Sequence, residues 1–123
     1  MNEQMTEKEF VPFGAEVYVS NLEQSLKFYR DQLGFKVLRI DESHHFVSFD
    51  FNSAIFMIEE KRESVQPTVG MVLRFVVADV KSYYSDVVKK GISIFKPLEI
   101  KDYGATRFYV KDPDGYQIKF TGK

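Results

Sequence analysis

The sequence repeats one order of structural signals, and this repeat restricts the fold more than any other feature. In each half, a segment of alternating apolar and polar residues is followed by a helix-capping residue, a helical apolar stripe and a glycine. The capping residues are Asn21 and Asp79, and the glycines are Gly34 and Gly91. Asn and Asp are favoured N-cap residues, and a glycine after the stripe ends a helix in the left-handed conformation. Each half is therefore predicted to begin with a strand and a helix.

Three further strands follow each predicted helix, since apolar and polar residues again alternate there. The predicted strands are 13–19, 35–40, 44–51 and 53–60 in the first half and 71–77, 92–95, 105–111 and 116–121 in the second, with a loop at 97–104. The fold class is therefore predicted to be α+β, with two βαβββ modules in one chain. Its predicted parts are a tail (1–12), the first module (13–60), a linker (61–70) and the second module (71–123).

Composition excludes several classes of protein. The chain has 123 residues, 28% of them charged, with a net charge of -1, so no basic excess favours a nucleic acid as partner. The absence of cysteine excludes disulfides, thiolate metal sites and a cysteine nucleophile. No apolar run approaches the roughly 20 residues of a membrane span, and the polar start lacks the apolar core of a signal peptide. We expect a cytoplasmic protein with no membrane partner.

Two segments carry a resemblance to a known family. Residues 19–35 (VSNLEQSLKFYRDQLGF) and 103–120 (YGATRFYVKDPDGYQIKF) resemble the hallmark stretches of the vicinal oxygen chelate superfamily. That superfamily includes glyoxalase I, extradiol dioxygenases, fosfomycin-resistance enzymes and bleomycin-resistance proteins. The resemblance implies one such domain over 13–121, in which each βαβββ module curves a mixed sheet around a cavity. It also implies a homodimer with cavities built from both chains.

The resemblance further implies where a divalent metal would be held. Enzymes of the superfamily use four side chains, typically His, Gln or Glu, from the first and last strands of both modules. The matching positions here are Gly14, Met57, Val72 and Lys119. These residues are a poor donor set for a divalent cation, and the Lys119 ammonium repels one. We therefore expect no metal or other cofactor.

Among the superfamily's branches, the sequence most resembles the bleomycin-resistance proteins, which sequester a ligand without a catalytic metal. The leading hypothesis is a non-enzymatic protein that binds a small molecule and is related to antibiotic resistance. One alternative is a metal-dependent lyase, isomerase or thiol transferase, and another is a structural module without a ligand. Bleomycin itself is a poor match, because a large cationic drug favours an acidic pocket with flat rings.

Candidate ligand-binding residues come from the polar faces of the predicted strands and from the segment beside the DPDG turn predicted at 112–115. Glu16 and Arg74 occupy matching places in the first strand of each module. They are predicted either to form a mutual or local ion pair or to orient a ligand. His44 and His45 are predicted to be adjacent in a strand and to point to opposite faces, which prevents joint chelation. The complete set of candidate ligand-binding residues is Glu16, Tyr18, Phe46, Arg74, Tyr103, Tyr109 and Lys119.

Overall fold

The computed structural model describes residues 14–52, 54–61, 63, 65–67 and 69–122. Its elements are β1 (Ala15–Val19), α1 (Leu22–Leu26), a π-helical segment (Lys27–Gln32), β2 (Val37–Asp41), β3 (Phe46–Phe51), β4 (Ala54–Glu60), β5 (Leu73–Val76), α2 (Val80–Lys89), β6 (Ile94–Ile100), β7 (Thr106–Lys111) and β8 (Gln117–Gly122). The predicted tail and the first residue of the predicted strand 13–19 lie outside the described residues. None of the described helices is long and apolar enough to cross a bilayer.

Each module forms its own four-stranded mixed sheet. The strand order is β1-β4-β3-β2 in the first module and β5-β8-β7-β6 in the second. In both sheets the first and last strands of the module pair in parallel, and the remaining pairs are antiparallel. The predicted α+β class and the pair of βαβββ modules are thus confirmed.

The helices begin and end where the sequence predicts. The side chain of Asn21 accepts a hydrogen bond from the backbone N–H of Gln24 at 2.9 Å, and Asp79 accepts one from Ser82 at 3.1 Å. Gly34 and Gly91 have φ angles of 83° and 77°, in the left-handed region where glycine is least strained. The first helix differs from expectation in one respect, because its second half is π-helical.

An aromatic core joins the two modules. The ring centre of Phe75, in β5, lies 4.8 Å from that of Phe35 and 5.1 Å from that of Phe51, both in the first module. Phe120, in β8, is also within 6.4 Å of Phe35. Each sheet therefore buries one face in the shared core and leaves an opposite, outer face. This sharing solves the problem that a single module of this size buries too little surface to be stable alone.

Strand β6 is longer than the sequence predicts. The prediction of a loop at 97–104 is wrong for residues 97–100, which belong to β6. Strand β6 therefore includes Pro97. Proline lacks a backbone N–H, so it is tolerated only at a sheet edge or a bulge. Strand β6 meets both conditions, because it is the last strand of its sheet and its pairing with β7 shifts register around Lys96.

His44 and His45 lie in the turn between β2 and β3, so their predicted position in a strand is wrong. Strand β3 starts only at Phe46, and His45 has a φ of 59°. The carboxylate of Asp41 organises the turn, since its Oδ1 accepts hydrogen bonds from the backbone N–H of His44 at 2.9 Å and from the hydroxyl of Ser43 at 3.0 Å. This local bonding competes with strand formation.

Candidate functional site

The outer face of the first sheet carries a row of side chains across all four strands. Glu16 pairs in register with Met57, Met57 with Ser48, and Ser48 with Arg39. Since residues in register lie on the same face of a sheet, these four side chains are neighbours. A second row contains Tyr18, Glu59, Phe46 and Asp41.

A recess of about 680 Å³ lies on this face; we call it the first recess. Leu38, Phe46, Ile55 and Met57 give it an apolar lining, and its polar groups come from Glu16, Arg39 and Ser48. Apolar walls with a few polar groups are typical of sites for small organic molecules. Two of the predicted ligand-binding residues, Glu16 and Phe46, therefore line one site.

Charged groups beside the first recess are held in place by Asp41. Its Oδ2 accepts a hydrogen bond from Nη2 of Arg39 at 2.8 Å, and its Oδ1 lies 3.1 Å from Nδ1 of His44. Hydrogen bonds to the charged form, first from the backbone N–H of His44, lower the pKa of Asp41 to about 2. Asp41 is therefore a stable anion that orients Arg39 at the rim.

The outer face of the second sheet carries the matching row, which is cationic. Arg74 pairs in register with Lys119, Lys119 with Tyr109, and Tyr109 with Lys96. The ammonium of Lys96 lies 4.7 Å from the ring centre of Tyr109, and that of Lys119 lies 5.9 Å from it. We call these four residues the cationic row. It brings together three of the predicted residues, namely Arg74, Tyr109 and Lys119.

Glu16 and Arg74 do not pair with each other. Both are exposed, and neither forms an ion pair with any described residue of the chain. Arg74 lines a separate recess of about 510 Å³ between the modules, which shares Gly14, Ala15 and Ile55 with the first recess. The alternative of a mutual ion pair within the chain is thus wrong, because the two outer faces are open rather than closed over each other.

The remaining predicted residues lie outside both the first recess and the cationic row. Tyr18 lies beside the recess, with the ammonium of Lys61 at 4.6 Å from its ring centre, and its carbonyl accepts a hydrogen bond from Tyr116. Tyr103 is in the loop between β6 and β7 and is 71% exposed.

Sequence reasoning missed Lys96 and Arg107. Lys96 lies between the predicted strand 92–95 and the predicted loop 97–104, so the sequence places it on neither face of a sheet. Arg107 lies in β7, where it shares the outer face with Tyr109, and its Nη2 lies 3.5 Å from Oε1 of Glu99. The alternation of the predicted strand 105–111 already places Arg107 and Tyr109 on one face, and that signal identifies Arg107.

The four positions of the superfamily's metal do not form a metal site. The parallel registers place Met57 beside Glu16 and Lys119 beside Arg74, so Met57 and Lys119 are equivalent in the two modules. At Gly14, a β-carbon would overlap the backbone carbonyl of Ile55, so this backbone has no room for a ligating side chain. Among the described residues, no three His, Asp or Glu side chains converge as metal ligands. A divalent cation does not fit this donor set.

The chain belongs to the Glyoxalase/Bleomycin resistance protein/Dioxygenase superfamily, whose family model matches residues 12–120. This finding agrees with the two modules and the helix-terminal glycines described above. It confirms the family that the sequence resembles, at the level of the superfamily as a whole.

Relatives in this superfamily include named enzymes. The chain is 27% identical over 117 residues to a lactoylglutathione lyase of Neisseria meningitidis (serogroup A), a match that spans 85% of each protein. The structure of a glyoxalase/bleomycin resistance protein/dioxygenase from Alicyclobacillus acidocaldarius has a TM-score of 0.73 at 18% identity and 89% coverage of both chains. That of a lactoylglutathione lyase from Agrobacterium tumefaciens has a TM-score of 0.73 at 15% identity, covering 94% of this chain and 95% of that one. At these identities the structural matches show a common fold.

Proposed function

We propose that this protein binds a small organic molecule without a catalytic metal. The observation that carries this proposal is the residue set at the superfamily's four metal positions, which offers a glycine, a thioether, an aliphatic side chain and an ammonium. The first recess supplies the binding surface, with Phe46 and Met57 as apolar contacts and Glu16 as a polar one. Sequestration of a ligand fits this chemistry better than activation of a substrate by a metal.

A second copy of the chain is proposed to cover the outer faces. The first sheet exposes Leu38 and Ile55 (53% and 44%), and the second exposes Val72 and Val76 (42% and 71%). In a two-fold dimer, the first outer face of each copy meets the second outer face of the other copy. This contact occurs twice, so it gives two equivalent cavities.

The metal part of the proposal is tested by elemental analysis. Untagged protein is expressed in medium supplemented with zinc, nickel, manganese and iron, and the metal content is measured after gel filtration. We expect far less than one metal ion per chain, because the described residues offer no donor set. About one ion per chain would contradict the proposal.

The binding part is tested by thermal shift against a broad panel of small anionic, neutral and cationic compounds. A ligand at 100 times its dissociation constant stabilises a protein by about 2.7 kcal/mol, which is readily measured. Compounds that bind are retested on Phe46→Ala and Glu16→Gln, with Glu23→Gln as the matched control, because Glu23 is an exposed residue of α1. Loss of the shift in the two recess variants but not in the control is the expected result.

The alternative function is that of a lactoylglutathione lyase, favoured by the 27% identity to the Neisseria protein of that name. It is tested by assaying the hemithioacetal of methylglyoxal and glutathione with protein incubated with each of the same four metals. We expect no turnover above the protein-free rate. Turnover that depends on an added metal would replace the binding proposal with this enzymatic one.

A further inference from the structure

The cationic row concentrates like charges on one face. Arg74 and Lys119 lie in register on neighbouring strands, which are about 4.8 Å apart in a sheet. Lys96 is on the far side of Tyr109 in the same row. Like charges directly across neighbouring strands are destabilising, so this arrangement favours a counter-charge above the face.

No carboxylate of the described part of the chain supplies that counter-charge. Within it, Arg74, Lys96 and Lys119 form no ion pair. The two lysine ammonium groups instead contact the ring of Tyr109, which attracts a cation but does not neutralise it.

Arg107 provides an independent sign that an acceptor is missing on the same face. Its Nε is buried and has no hydrogen-bond partner among the described residues. Its Nη2 lies 3.5 Å from Oε1 of Glu99, an oxygen that Lys101 also approaches at 3.2 Å. Buried donors are normally satisfied, so the guanidinium of Arg107 lacks part of its hydrogen bonding within the described chain. The side chain is 22% exposed, so its outer N–H groups can reach an anion on this face.

We propose that the outer face of the second sheet, which the proposed dimer sets opposite the first recess of the other copy, holds the anionic group of the small molecule that this protein binds. This inference rests on the proposed function and adds the charge class of the ligand: a compact organic anion bearing a carboxylate, phosphate or sulfonate. Arg74, Lys119 and Arg107 supply N–H donors for its oxygens, and Lys96 adds positive charge from the edge strand. Arginine suits this role because its planar fork matches two oxygens of such a group.

The experiment compares three probes of similar size and different charge: benzoate, benzamide and benzylamine. The full chain, labelled with ¹⁵N, is titrated with each probe at low ionic strength. Benzoate is expected to shift the backbone amides of Arg74, Tyr109 and Lys119, with benzamide and benzylamine at least about tenfold weaker. Raising the ionic strength to about 0.5 M is expected to weaken benzoate, because salt screens exposed charges.

Variants locate the site. Arg74→Met and Lys119→Met are each expected to weaken benzoate at least about fivefold. Lys81→Met, which removes an exposed ammonium from α2, is the matched control and is expected to leave benzoate binding unchanged. Equal loss in the control would mean that benzoate responds only to total charge, and would overturn the proposal.

Two other results would also overturn it. The first is equal affinity for benzamide and benzoate. The second is binding of benzoate to Glu16→Gln at least about tenfold more tightly than to wild type, since the row would then be occupied by a carboxylate of a second copy. If neutral or cationic compounds bind at the first recess while benzoate avoids the row, this inference fails and the proposed function stands. If no compound of the broad panel binds, both fail.

Discussion

The hydroxyl of Tyr29, in the first module, donates a 2.7 Å hydrogen bond to Oδ2 of Asp112, in the second. Tyr29 is fully buried and Asp112 is 5% exposed. The other carboxylate oxygen, Oδ1, accepts hydrogen bonds from the backbone N–H groups of Asp114 and Tyr116. The bond therefore joins the two sequence segments that carry the family resemblance, so each of them helps to hold the modules together. Burial is the main cause of the raised pKa values of both groups.

Tyr29→Phe is expected to destabilise the protein by about 1–3 kcal/mol, because it leaves a buried carboxylate oxygen without its donor. Urea unfolding at pH 7 measures the change. The matched control is Tyr84→Phe, whose ring packs 4.9 Å from Phe108 and whose hydroxyl has no hydrogen bond within the described part of the chain. The control is expected to change stability by less than about 0.5 kcal/mol. Equal losses would contradict a special role for the bond.

The sequence predicts the helix ends of this fold better than its long-range contacts. Asn21, Asp79, Gly34 and Gly91 act within one helical turn, so the residue type alone identifies each helix end. The bond between Tyr29 and Asp112 joins residues far apart in the chain, and no local pattern encodes it. The resemblance indicated that both segments matter, but not that they touch.

The candidate site was predictable in part for the same reason. Alternation assigned Arg74, Tyr109 and Lys119 to polar faces, and the registers of the sheet then aligned them in one row. Alternation does not place Lys96 on a face of the sheet, because the register shift beside Pro97 interrupts the pattern of β6. Register between strands depends on tertiary packing, so sequence reasoning named members of the row without showing that they form one.

The low pKa of Asp41 predicts a pH-dependent contribution to stability. Because the folded protein lowers this pKa from 3.8 to about 2, the carboxylate's contribution is fully present above pH 3.8 and is lost as the pH falls through 2. Asp41→Asn is therefore expected to lower the urea midpoint at pH 7, and the gap from wild type should close near pH 2. Asp102→Asn, on the exposed loop between β6 and β7, is the control and should show no such trend. A gap that stays constant with pH would contradict the argument.

Gly14 is expected to be intolerant of any side chain. A methyl group there would overlap the carbonyl of Ile55, which belongs to the backbone of β4 and moves only if the strand moves. Gly14→Ala is therefore expected to cost about 1–3 kcal/mol, the usual range for overpacking. Gly70→Ala is the matched control, because a β-carbon at Gly70 meets nothing within 4 Å. Chemical denaturation of both variants measures the change in the free energy of unfolding. No change for Gly14→Ala would contradict the prediction and would show that β4 shifts at little cost.

The proposed homodimer predicts a particle of twice the chain mass of 14.4 kDa. Light scattering at micromolar concentration measures it, and a particle of one chain mass would contradict the proposal. Leu38→Asp places a charge on the exposed apolar part of the first outer face, so it is expected to weaken association at least about tenfold. Val69→Asp is the control, since Val69 is 89% exposed and lies in the loop between β4 and β5.

Glu16→Ala and Arg74→Ala test whether the two charges depend on each other. A buried ion pair that loses one member costs about 3–5 kcal/mol, and the double variant then recovers part of the loss. Here both residues are exposed, and neither is paired within the described chain. Each single variant is therefore expected to change stability by less than about 0.5 kcal/mol, with the double variant equal to their sum. Urea unfolding of all four proteins, at a concentration low enough to keep them monomeric, measures the coupling directly. A coupling above about 1 kcal/mol would mean that the two charges interact within one chain, contrary to the open outer faces.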